Sequence, residues 1–69
     1  MSARTVWVSK PLWRALPLEV RRAVVNALPR SPVPEYAGNI ESALRRRGEH
    51  ATALAFLQAV AAQMRGGDV

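Results

Sequence analysis

The chain has 69 residues, with ten basic against five acidic side chains for a net charge of +5, one histidine and no cysteine. That length allows a single domain, residues 1–69, with a modest core, because so short a chain buries only about 60 % of the surface its unfolded form exposes. A disulfide is excluded, and a lone imidazole argues against a zinc site, which takes several nitrogen or sulfur ligands. Small domains without either supplement are commonly completed by association.

Residues 4–9, Arg-Thr-Val-Trp-Val-Ser, alternate and are rich in β-branched and aromatic types, so they predict a short strand. No second run of this kind is evident. The strand therefore needs a symmetry mate or another protein's sheet, or else residues 1–8 remain an extended arm. Ser9 then suits a helix N-cap and Pro11 its first turn, for a helix over 10–16 with Leu12, Trp13 and Leu16 inward. Pro17 disfavours helical geometry at Leu16 and suits the start of a second helix over 18–28. Its buried stripe is Val20, Val24, Ala27 and Leu28, and Arg21, Arg22 and Asn26 face outward.

Pro29 ends that helix, and residues 29–38, with three prolines and a glycine, read as the longest loop, extended around Ser31–Pro34. Asn39 suits the cap of a third helix over 39–47, in which Ile40, Ala43 and Leu44 point inward. Arg45, Arg46 and Arg47 occupy its last turn, where cations complement the helix dipole. Gly48 suits a left-handed terminator. A fourth helix runs over 49–65, and residues 66–69 should fray. The fold class expected is all-α: a compact bundle of four short helices, with one N-terminal strand or arm.

The fourth helix contains the most informative stretch. From Ala51 to Met64 there are fourteen residues without a charge, six of them alanine. Leu54, Phe56, Leu57, Val60 and Met64 are expected on the side that holds the fold. Ala55, Ala59 and Ala62 are expected on the opposite side, small enough for close approach of a second helix. The run would be about 21 Å long as a helix, short of the roughly 30 Å hydrocarbon core. The fourth helix carries almost no basic side chains, which argues against a membrane-surface helix. Nothing after Met1–Arg4 reads as a signal peptide, so a soluble, cytoplasmic protein is expected.

The inventory offers no catalytic set. No carboxylate pair stands beside His50, the serines lack an activating motif, and no phosphate-binding glycine loop is present. No cofactor and no small-molecule substrate is inferred. The leading expectation is a non-enzymatic protein–protein interaction module, a regulator, inhibitor or adaptor that binds a larger protein or forms a homodimer. Its candidate contacts are Trp7, Val8, Ala55, Ala59 and Ala62, with Trp7 expected opposite Val6 and Val8 on the strand. Trp13 is expected in the domain's own core, and Tyr36 either in a binding surface or as a lid on that core.

The alternative is a basic nucleic-acid-binding regulator of helix–turn–helix-like or ribbon–helix–helix-like type, using Arg21, Arg22, Arg45, Arg46 and Arg47 on phosphates. Against it, the second helix of the 39–65 pair offers few polar side chains to bases, and Val6, Trp7 and Val8 suit a groove poorly. The proline-rich loop and last helix also lie outside the ribbon–helix–helix plan.

Overall fold

The computed structural model describes residues 3–30 and 33–66. A short 3-10 turn, Ala3–Thr5, leads into strand β1, Trp7–Val8, and then helices α1, Lys10–Ala15, and α2, Leu18–Ala27. Strand β2, Glu35–Tyr36, precedes helices α3, Ala37–Arg46, and α4, His50–Gly66. The all-α architecture and its four helices match the sequence expectation, with boundaries shifted by one or two residues. The Cα radius of gyration of 10.8 Å is that of a compact chain of this length.

The strand in the N-terminal segment finds its partner within the chain. β1 pairs antiparallel with β2, Trp7 opposite Tyr36 and Val8 opposite Glu35, and the Ala37 N–H extends the pairing to the Val6 carbonyl at 2.9 Å. The intermolecular partner and the free arm expected for residues 4–9 are thus both replaced by a two-stranded ribbon. Its second strand follows Pro34 directly, a place a strand tolerates because the missing N–H falls at its start. Ser31, Pro32 and the last three residues, including most of the expected tail, lie outside the described residues.

Local chemistry explains where each helix begins and ends. Ser9 holds the extended N-cap backbone of α1 without a side-chain cap bond, and Leu16 leaves the helix at φ −74°, ψ 150° ahead of Pro17. Pro17 is the N-cap of α2, and Leu28 closes that helix before Pro29. Tyr36, not Asn39, takes the N-cap position of α3, because the ribbon delivers an extended backbone there. At the other end Gly48 has φ +79°, its N–H donates to the Arg45 carbonyl at 2.9 Å, and the Glu49 N–H reaches back to the Leu44 carbonyl at 3.0 Å. Those two bonds form a Schellman motif, which satisfies carbonyls that the helix end would otherwise orphan.

The core joins Val8, Leu16, Val20, Val24, Ala37, Ile40, Leu44, Ala53, Phe56 and Val60. α4 contributes through Ala53, Phe56 and Val60, spaced three and four apart, with Leu57, Ala59 and Met64 packed against them. Leu54 is a correction: it is 52 % exposed. Two residues from Phe56, it projects from nearly the opposite side of the helix at 100° per residue. Ala53 fills the inward position instead.

One charged residue belongs to this interior. Glu41 on α3 is 5 % exposed, with Oε1 2.7 Å from Arg4 Nε and Oε2 2.7 Å from Arg45 Nε. The Arg4 contact ties the 3-10 turn across α3, where Gly38 also permits close approach: a Cβ there would lie 3.0 Å from the Arg4 carbonyl oxygen.

Candidate functional site

The ribbon determines what the N-terminal segment shows to solvent. Alternation sends Val8 inward, completely buried, and Trp7 outward at 49 % exposure. Tyr36 stands directly opposite Trp7 and is 50 % exposed. Side chains opposed across an antiparallel pair are near neighbours, and here the rings meet edge-to-face, centroids 4.7 Å apart and planes at 74°. Beside them Glu35 Oε1 accepts from the Tyr36 N–H at 2.8 Å and from Asn39 Nδ2 at 2.9 Å. Those bonds, the Asn39 amide first and the Tyr36 N–H second, hold the Glu35 carboxyl below its usual range. Backbone pairing, ring contact and carboxylate thus order an aromatic surface.

The expected contacts divide accordingly. Trp7 is half exposed; Val8 is a correction, because intrachain pairing with β2 turns it into the core. Ala55 and Ala62 are exposed, whereas Ala59 is partly buried and packs against the core. Ala59 lies 100° from Val60 around the helix and so sits at the margin of the inward face. α4 is covered on one side only, and its alanines do not form one open stripe. Of the two roles open to Tyr36, its register with Trp7 and its 50 % exposure favour the outer surface over a lid on the core.

The five arginines fall in two places. Arg45 is committed to Glu41 and lies 3.5 Å from His50 Nδ1, and Arg47 Nε lies 3.4 Å from Glu49 Oε2. Arg46 is exposed. Arg21 and Arg22 instead border a surface cleft of about 400 Å³, lined also by Trp13, Leu18, Val25 and Asn26. Leu18, Arg21, Arg22 and Val25 recur at the i, i+3, i+4, i+7 spacing of one helix face, opposite the buried Val20 and Val24. Trp13, from α1, closes one wall and is also partly buried against the core.

The shared face of Leu18 and Val25 is hard to see in the sequence, because arginines interrupt it. The seven-residue spacing was its available signal. Among the described residues no group of three or more His, Asp or Glu side chains is arranged to hold a metal ion. No helix among them is long and apolar enough to cross a membrane. No protein-family model, no curated protein and no solved structure matches the chain.

Proposed function

We propose that the chain is a non-enzymatic module that binds another protein, with the Trp7–Tyr36 pair at the centre of the contact. The observation that carries this reading is the pair itself: two large aromatics, each about half exposed, held edge-to-face on a paired ribbon. Tryptophan and tyrosine dominate binding energy when they enter a partner's pocket, because they present large apolar area with few torsions to fix. An ordered pair loses little entropy on docking. The alanines of α4 play a smaller part than their number suggests, since Ala59 belongs to the margin of the core.

The nucleic-acid reading has less to support it. Arg45 and Arg47 are engaged by carboxylates of the same chain, and α4 offers few polar side chains. A regulatory, inhibitory or adaptor role in the cytoplasm is the setting in which such a module would act.

The test is selection of a random peptide library on the immobilised full chain. The proposal expects enriched peptides whose binding is lost in both Trp7→Ala and Tyr36→Ala, with circular dichroism unchanged. Peptides that bind both variants as well as the parent would contradict it.

A further inference from the structure

We infer that the α1–α2 cleft is a carboxylate-recognition site, built to take an acidic side chain flanked by an apolar one from a partner polypeptide. The inference rests on the protein-binding reading but uses a different surface, and three observations bear on it.

The first is an unmet donor. Arg21 Nε is buried, and its N–H has no acceptor among the described residues. Buried donors are nearly always paired, so this N–H gains when the Arg21 side chain turns to meet an acceptor in the cleft. The second is the composition of the walls. Arg21 and Arg22 bring two guanidinium groups and Asn26 an amide to the same cleft, whose remaining lining is Trp13, Leu18 and Val25. Leu18 and Val25 are 53 % and 43 % exposed, two turns apart on one helix face with the two arginines between them. An occupant must therefore offer negative charge and apolar surface together.

The third is charge. At net +5 the chain attracts acidic segments at long range, and guanidinium groups bind carboxylates through paired hydrogen bonds. Phosphate shares the charge but offers nothing to Trp13, Leu18 and Val25. That mixed lining favours an acidic peptide over a nucleic-acid backbone.

The experiment uses isotope-labelled full chain and follows the Arg21 Nε–H and Trp13 indole N–H resonances by NMR. The probes are acetyl-Leu-Glu-Leu-amide, its Gln counterpart, and inorganic phosphate at matched ionic strength. The Glu peptide should move both resonances, and the Gln peptide should bind about five-fold more weakly, the difference between a charge-assisted and a neutral hydrogen bond. Arg21→Gln should reduce Glu-peptide binding by a similar factor, monitored at the Trp13 resonance, while Trp7→Ala leaves it unchanged. Equal affinity for the two peptides, a phosphate response matching the Glu peptide, or no response to either peptide would overturn the assignment. Because Trp7 is absent from the cleft, failure here leaves the ribbon test standing, and failure of the ribbon test leaves this one readable.

Discussion

Removing the partners of Glu41 should cost far more than removing Glu41 itself. The carboxylate side chain is 6 % exposed, whereas the Arg4 and Arg45 side chains are 60 % and 41 % exposed. In Arg4→Met/Arg45→Met the charge stays buried with neither counter-ion, a situation that costs about 3–5 kcal/mol. In Glu41→Met no charge is left buried, because both arginine side chains face solvent, and the loss should be about 1 kcal/mol, as for solvent-facing pairs. A chain of this length has a stability of roughly 3–10 kcal/mol in total, so the double variant should sit near or beyond the edge of folding. Methionine keeps the aliphatic packing of the long side chains, which isolates the charge. The triple variant, with all three positions methionine, should recover most of the loss. Urea titrations at pH 7 followed by circular dichroism give the three values. A Glu41→Met loss equal to or larger than that of the double variant, or a triple variant no more stable than the double, would refute the reasoning.

Other perturbations test separate parts of the fold. Phe56→Ala should cost about 3–5 kcal/mol and leave the chain largely unfolded, while Leu54→Ala should change stability by less than about 0.5 kcal/mol; similar losses in the same urea assay would place the helix in the wrong rotational phase. Gly48→Ala meets open space, so its cost is that of the left-handed backbone alone, about 1 kcal/mol; Gly48→Asn should lose less. Gly38→Ala should destabilise by about 1–3 kcal/mol by pressing on the Arg4 carbonyl, visible as faster amide exchange in residues 3–8. The Glu35 carboxyl titrates below its usual 4.5 in the folded chain, so its contribution is complete above that pH and is lost as pH falls through the lowered value. Asn39→Ala should move its NMR titration midpoint back toward 4.5, and Glu35→Gln should remove that share of the acid-side loss.

The helices were legible because proline and glycine mark their ends chemically: Pro17, Pro29 and Gly48 act within their own turns and need no tertiary information. The β1 partner was not legible. Glu35 and Tyr36 are two residues in a proline-rich stretch, and their pairing depends on where the chain folds back. The phase of α4 was only partly legible. A run of Ala and Leu has low contrast around the helix, so Leu54 and Ala53 could exchange roles without breaking the apolar pattern. Glu41 illustrates a different limit, since its burial follows from Arg4, which is distant in sequence. Among the candidate contacts, alternation put Trp7 and Val8 on opposite faces of the strand, but which face turns to the core follows only from the pairing with β2. The cleft combines α1 with α2, and no single periodicity reports both.

The most direct test of the central claim, that this chain recognises protein and not nucleic acid, is its mass by light scattering with and without duplex DNA, at low and at physiological salt. The mass should be unaffected by DNA at physiological salt, with any low-salt complex dispersed as ions screen the arginines. A complex that persists at physiological salt, and that is lost when Arg45, Arg46 and Arg47 are replaced by alanine, would contradict it.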